Sequence, residues 1–316
     1  VSVELRRAAE ILKNGGLVAF PTETVYGLGA DASSAAAISR LYAVKRRPAD
    51  HPVIVHFADA ERAFAWAREV PDAARKLAAK FWPGPLTLIL KRSAKAADFV
   101  TGGQDSVGLR VPGHALAHAL LEAFGDGLAA PSANRFGRIS PTSAAHVRAD
   151  LGDDVDCVLE GGASEIGIES TIVDLSGGRA VLLRPGAIGR EALEQVLGTP
   201  VVEKAAARDR SPRHSGGLER HYAPRTPMRL VATHALDQDI GASAGRVAVL
   251  AFSRPDARVQ LWRRMPRDAR AYAQKLYAVL RALDDSGCDA ILVERPPQTP
   301  EWTAVNDRLQ RACAAA

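Results

Sequence analysis

An α/β fold built on a mixed sheet, followed by a smaller domain, is the architecture that the sequence predicts, and three observations predict it. Short apolar runs rich in β-formers alternate with Ala-rich stretches at helical spacing as far as residue 197. Near 156–184 several such runs follow one another with no helix between them, so the sheet is mixed rather than purely parallel. Periodicity then fades over 199–227 and returns in a shorter series.

Taken in order, residues 3–14 place Val3, Leu5, Ala8, Ala9, Ile11 and Leu12 at helical spacing, and Gly15-Gly16 stops the pattern as a C-terminal cap does. A strand follows at 17–21. PVIVHF, PLTLILK, SVGLRVP, STIVDL and AVLLRP read as further strands. The stretches 34–44, 59–80, 114–123, 142–149 and 189–197 read as helices. Residues 199–227 gather Pro, Gly and Arg and read as a linker between a domain at 1–198 and another at 228–316. The second domain orders strand 228–232, strand 246–252, helix 268–285, strand 290–294 and helix 301–313, a small βα domain with a parallel sheet.

Length and composition narrow the class. At 316 residues the chain has room for two domains, and 47% hydrophobic with 24% charged residues excludes a disordered or fibrous chain. Lys plus Arg (41) exceeds Asp plus Glu (36), a net +5 that invites a nucleic-acid or phosphate reading. The excess is local, however: residues 1–200 hold 22 basic and 23 acidic side chains, and 201–316 hold 19 and 13. It gathers at Arg208, Arg210, Arg213, Arg220 and Arg225 and over 254–270. Cys157, Cys288 and Cys313 are too few and too scattered for a disulfide framework or a Cys-x-x-Cys metal site. No apolar stretch approaches the ~20 residues of a membrane helix. Glu4, Arg6 and Arg7 stand where a signal peptide needs its apolar run, so the expected location is the cytoplasm, with no membrane partner.

Two motif matches fail on context. Gly27-Leu28-Gly29-Ala30-Asp31-Ala32 fits G-x-G-x-x-A, but Pro-Thr-Glu-Thr rather than a strand runs into it, and no ribose-binding acid follows at the right place. Gly241-Ala242-Ser243-Ala244-Gly245 fits G-x-S-x-G, yet a strand follows it and no His comes after it, so a turn is expected. Neither a P-loop nor H-E-x-x-H is present.

Four polar clusters survive: PTETVYGLGADA (21–32), Lys45-Arg46-Arg47-Pro48, Ala130-Pro131-Ser132-Ala133-Asn134 with Arg138 and Ser140-Pro141-Thr142, and Gly167-Ile168-Glu169-Ser170-Thr171 with Leu183-Arg184-Pro185-Gly186. Helix capping accounts for Thr142, and a helix C-terminus for one or two of the cations. What remains is one Lys, several Arg and many hydroxyls without a His cluster, a set that suits a polyanion and, most economically, a nucleotide.

With WPGPLT (82–87), GLRVPGH (108–114), IESTIVD and LRPGAI, these motifs in this order resemble the Sua5/YciO/YrdC family over residues 3–197. The linker ending His221-Tyr222-Ala223-Pro224, with a domain after it, resembles the two-domain Sua5 type. The resemblance implies a YrdC-like twisted mixed sheet around a concave basic cavity, a small Sua5 C-terminal domain, and a linker folded over the active site. It implies an L-threonylcarbamoyladenylate synthase, a nucleotidyltransferase that makes threonylcarbamoyl-AMP and pyrophosphate from L-threonine, bicarbonate or CO2, and ATP, for the t6A modification of tRNA.

By the same resemblance the K-x-R and S-x-N signature falls on Lys45, Arg47, Ser132 and Asn134, with Lys45 and Arg47 catalytic. Arg47, His51, Ser106, Ser132, Asn134, Ser140, Arg184, His221 and Tyr222 fall at ATP-binding positions, and Thr24, Tyr26, His56, Arg110, Ala130 and Ser170 around threonine. Arg110 suits the threonine carboxylate, since a planar guanidinium pairs with it bidentately. Mg2+ is expected with ATP, held by phosphates and water rather than by a protein cage. The product passes to the tRNA threonylcarbamoyl transferase complex, and direct tRNA binding is left open. One departure stands out: the family linker commonly carries Pro-Gly where this chain reads Ser215-Gly216-Gly217.

Other readings fit less well. An RNA-binding module would need basic residues interleaved with stacking aromatics, but aromatics are 5% of the chain and residues 1–200 are nearly neutral. The related domain of hydrogenase-maturation proteins sits in a longer chain with acylphosphatase and zinc-finger-like parts. A YciO-like relative is disfavoured by Lys45, Arg47, Ser132 and Asn134 together.

Overall fold

The computed structural model describes residues 2–203 and 211–314, so Arg208 and Arg210 of the linker lie outside the described residues. It divides into two compact units, the first made of 1–136, 141–165 and 169–217, the second of 137–140, 166–168 and 218–316.

In the first unit the chain runs α1 (Val3–Lys13), β1 (Val18–Phe20), β2 (Gly27–Asp31), α2 (Ala35–Lys45), β3 (Ile54–His56), α3 (Ala60–Phe64), α4 (Asp72–Phe81) and β4 (Leu86–Lys91). It continues α5 (Asp98–Thr101), β5 (Ser106–Arg110), α6 (Ala115–Phe124), β6 (Leu128–Ala129), α7 (Ala144–Leu151), β7 (Cys157–Val158), β8 (Thr171–Asp174), β9 (Val181–Arg184), α8 (Arg190–Leu197) and β10 (Val202–Glu203). The strands form one sheet in the order β10-β9-β8-β4-β5-β3-β6-β2-β1-β7. Pairs β4–β8, β3–β5, β1–β7 and β9–β10 are parallel, while β4–β5, β8–β9, β3–β6, β2–β6 and β1–β2 are antiparallel, so the sheet is mixed as the sequence predicts.

Alternation along β1 splits the core between the two faces. Leu17 and Ala19 join Leu28, Leu41, Leu77, Leu88 and Leu109 on one side. Val18 and Phe20 join Leu5, Leu12, Leu120 and Leu121 on the other. Helix α1 is capped at Ser2, whose Oγ accepts from Leu5 N, and α2 by Ser34 in the same way from Ala37 N.

Two sequence expectations need correction. The single helix at 59–80 is two helices: Pro71 removes an amide donor and disfavours helical φ/ψ just before it. Ala67 and Arg68 instead reach across to β4's end, where Arg68 N donates to Lys91 O. The second concerns Gly27–Asp31, part of a polar cluster for which the sequence predicts no strand, which is strand β2, paired with β1 and β6. Gly29 is needed there because a Cβ would stand 3.0 Å from the Phe20 ring and 3.2 Å from Val18 O. The coincidental dinucleotide match therefore lies within a strand, without the helix start it requires.

The second unit holds β11 (Met228–Val231), α9 (Leu236–Ala242), β12 (Val247–Ala251), β13 (Leu261–Arg264), α10 (Ala269–Asp284), β14 (Ala290–Glu294) and α11 (Thr303–Cys313). Its sheet, β11-β14-β12-β13, is parallel throughout. Of these elements, β13 and α9 are not among those that the sequence predicts. Gly241 lies in the last turn of α9, which ends at Ala242, and the capping residue Ser243 donates from Oγ to Asp239 O, a helix terminus with no nucleophile elbow.

Candidate active site

The site residues of the first unit stand at strand ends and in the loops after them. Helix α2 ends at Lys45, and Arg46, with φ +53, turns the chain in the left-handed region so that Arg47 leaves in a new direction. Lys45 is 1% exposed, and its ammonium donates to the carbonyls of Ser132 and Asn134. Phe136 N returns a bond of 2.8 Å to Lys45 O. Burial, and then the neighbouring Arg47, push the Lys45 ammonium well below its ordinary pKa. Lys45 is thus the post around which the loop carrying Ser132 and Asn134 is wound.

Arg47 is buried. It donates from Nη2 to Pro52 O at 2.7 Å and to Ser215 Oγ at 3.4 Å, and its guanidinium lies over the Phe136 ring at 5.3 Å. The His51 ring meets the same Phe136 edge-on at 5.3 Å, and burial followed by the Arg47 charge lowers its pKa. From the other side of the sheet order comes Arg184, at the end of β9 and 4% exposed. Its Nε donates to Ser170 O and its Nη2 to Ser170 Oγ, both at 3.0 Å, while Nη1 donates to Ser215 O at 3.0 Å. Ser170 Oγ also bonds Thr87 Oγ1 at 2.8 Å. Just beyond β9 the chain passes close against the start of β8 at Gly186, where a Cβ would stand 2.5 Å from Thr171 N.

Two guanidinium groups therefore converge on one residue, Ser215. The segment 211–217 is pinned further by Gln104, whose Oε1 accepts from Arg213 N at 2.6 Å and whose Nε2 donates to Arg213 O at 3.1 Å. His214 is buried here, and with Ser106, Ile54, Thr87, Gly108 and Ser215 it borders a cavity of about 20 Å³. That is room for about one water, whereas a small-molecule site is ~300–1,000 Å³.

A second group gathers at Arg110, the last residue of β5. His56 ends β3 and is its register partner, so the two side chains share one face of the sheet. Arg110 Nη2 donates to Glu23 Oε1 at 2.7 Å and to Thr24 Oγ1 at 3.0 Å, and Nε to Gly84 O at 3.3 Å. Burial, and then the Arg110 charge, drive the His56 pKa well down, so this imidazole is neutral. Glu23 is the residue that sequence reasoning passed over. Its signal was present as the only carboxylate among the first residues of PTETVYGLGADA, but its partner lies 87 positions away.

The remaining expected residues are placed differently. The Tyr26 hydroxyl donates to Gly162 O at 2.7 Å and accepts from Gly161 N at 3.2 Å, which ties two loops together. Ala130 N bonds Ile54 O at 3.0 Å, holding the start of the 130–136 loop against β3. Ser140, His221 and Tyr222 belong to the second unit. There Tyr222, with φ +62, stacks on Tyr277 at 5.9 Å under Arg308, and His221 N donates to Arg311 O at 3.2 Å. Among the described residues no group of three or more His, Cys, Asp or Glu could hold a metal ion, and no helix is long and apolar enough to cross a membrane.

Comparison with known proteins gives consistent matches. The family model Sua5_yciO_yrdC, described as telomere recombination, matches residues 10–186, and Sua5_C, described as the threonylcarbamoyl-AMP synthase C-terminal domain, matches 188–314. Over 98% of its length the chain is 38% identical to a threonylcarbamoyl-AMP synthase of Pyrococcus abyssi, of which it covers 94%. It is 37% identical to that of Bacillus subtilis, covering 98% of this chain and 92% of the relative. The solved structure of P. abyssi Sua5 complexed with L-threonine superposes with a TM-score of 0.91 at 38% identity, over 98% of this chain and 94% of that one.

Proposed function

The chain belongs to the Sua5/YciO/YrdC family, and from that membership we infer that it condenses L-threonine, bicarbonate and ATP to threonylcarbamoyl-AMP and pyrophosphate, for the t6A37 modification of tRNA. The observation that carries the reading is the convergence of Arg47 and Arg184 on Ser215, two buried cations arriving at one point from opposite parts of the sheet. Guanidinium groups so placed suit the oxygens of a triphosphate.

The chemistry asks for little beyond positioning and charge stabilisation. The amine of threonine joins bicarbonate as a carbamate with loss of water. A carbamate oxygen then attacks the α-phosphorus in line with the departing pyrophosphate. Arg47 and Arg184 neutralise charge that grows on the phosphate oxygens, and Mg2+ comes as part of the ATP substrate. Lys45 works through the loop: its ammonium holds the Ser132 and Asn134 carbonyls, so their side chains and amides keep one arrangement. The Thr87–Ser170–Arg184 chain links the phosphate side to the strand ends near Thr24, His56 and Arg110, the residues that this reading gives to threonine. Residues 211–217 act as a lid in this reading, with Ser215 standing where phosphate goes. The product is consumed by a tRNA threonylcarbamoyl transferase.

The test is exchange of labelled pyrophosphate into ATP, dependent on both threonine and bicarbonate. Arg47→Ala and Arg184→Ala should abolish it. No exchange with the intact protein refutes the function.

A further inference from the structure

The Arg110 group contains something that a site for anions alone does not need. Glu23 is 7% exposed and pairs through Oε1 with Arg110 at 2.7 Å, yet its second oxygen, Oε2, has no hydrogen-bond partner among the described residues. Buried carboxylate oxygens are ordinarily satisfied, because leaving one desolvated and unbonded is costly. His56, 3% exposed and on the same face as Arg110, has an unpartnered Nδ1 as well. Two buried polar atoms without partners thus stand beside one ion pair.

We propose that Glu23 Oε2 receives the ammonium group of the amino-acid substrate, so that Glu23 and Arg110 together form a receptor for a zwitterion. This rests on the threonine-dependent function above. The argument is one of charge balance. An isolated Arg110 would recognise any carboxylate and would leave a buried cation when the site is empty. Paired with Glu23, it is neutral as a unit, and the substrate is neutral as a unit too. Docking the two dipoles in opposed senses puts the substrate carboxylate at the guanidinium and its ammonium at Oε2, and no net charge enters the interior. A neutral His56 fits this, since an imidazolium beside the pair would repel the incoming ammonium. Thr24, which accepts from Arg110 Nη2, and Gly84 O, which accepts from Nε, hold the guanidinium in plane for that exchange. Specificity for an α-amino acid over an α-hydroxy acid then comes from Glu23, before any chemistry takes place.

The test measures binding of L-threonine and of 2,3-dihydroxybutanoate, in which a hydroxyl replaces the amine, by calorimetry on the full chain, with ATP binding measured beside them. The unmodified chain is expected to prefer threonine by at least about 100-fold. In Glu23→Gln the amide oxygen can still accept from Arg110 but the charge is gone. Its threonine affinity should fall at least about tenfold, with the hydroxy acid bound no more weakly than by the unmodified chain and ATP within twofold of it. Equal loss of all three ligands, or threonine binding unchanged in Glu23→Gln, overturns the proposal. Should the variant not fold, the unmodified chain decides alone: a hydroxy acid bound within threefold of threonine overturns it. Failure of the unmodified chain to bind threonine at all refutes the proposed function, whereas threonine binding with intact pyrophosphate exchange and an indifferent Glu23→Gln refutes only the zwitterion receptor.

Discussion

Removing the Ser215 hydroxyl should tighten ATP binding. Ser215 Oγ donates to Pro52 O at 3.1 Å and accepts from Arg47 Nη2 at 3.4 Å, and the second contact is long enough to count as weak. Net hydrogen bonds contribute about 0.5–1.5 kcal/mol each, so Ser215→Ala takes about 1–2 kcal/mol from the closed position of the 211–217 segment. The Arg184 bond to Ser215 O and the two Gln104 bonds to Arg213 use main-chain atoms and survive. A change of that size alters the ratio of closed to open forms about 5–30-fold. A triphosphate that takes Arg47 and Arg184 must displace Ser215 from both, so nucleotide binds the open form, and its apparent dissociation constant scales inversely with the open fraction. Calorimetric titration of ATP should therefore show affinity rising by about that factor while the closed form dominates. A second variant acts through the backbone. Gly216 has φ +78, which proline, locked near −65°, cannot adopt. Gly216→Pro should therefore dislodge the segment more strongly than Ser215→Ala. Unchanged or weaker ATP affinity in both variants would refute the reasoning that this segment stands in the nucleotide's place.

Three further outcomes follow from the same contacts. Lys45→Met deprives the Ser132 and Asn134 carbonyls of their donor; pyrophosphate exchange should fall at least about 100-fold, and hydrogen exchange should speed up over 130–136 while distant strands keep their protection. His56 has a depressed pKa, so the unfolded chain binds more protons than the folded one as pH falls below about 6.5; its contribution is intact above that pH and is lost on descending toward its folded value. The slope is up to about 1.4 kcal/mol per pH unit, and His56→Gln should flatten the decline in Tm between pH 7.5 and 5.5. Burial raises the Cys313 thiol to about 11 and raises that of Cys157 as well; at pH 8 only about a thousandth of Cys313 is thiolate, so iodoacetamide should label it in denaturant and scarcely in the folded protein.

What the sequence showed and what it hid divide along the separation of partners in the chain. Strands β4, β5, β8 and β9 and helices α2, α6 and α10 were legible because apolar spacing and caps are local signals. The 59–80 helix failed for a local reason too, since Pro71 weighs more than the Ala-rich composition around it. Strand β2 was hidden by its own glycines: GLGAD has little β propensity, and it is a strand because Phe20 and Val18 press so close that a Cβ at Gly29 has no room. In the site, the motifs could be found one at a time, but their meaning depends on bonds across 87 positions from Arg110 to Glu23, 87 and 89 from Lys45 to Ser132 and Asn134, and 31 from Arg184 to Ser215. Residue type alone makes Lys45 and Arg110 look alike, as two cations for an anionic substrate. Their partners separate them. Lys45 spends its charge on two carbonyls and so shapes a loop, while Arg110 is matched by a carboxylate with one oxygen left over. The net charge of residues 1–200, near zero, says nothing of this: the cations that matter there are few, buried, and answered by main-chain carbonyls or by Glu23. A site of this kind recognises its ligands by where each charge is paired, and a count of basic residues has no access to that.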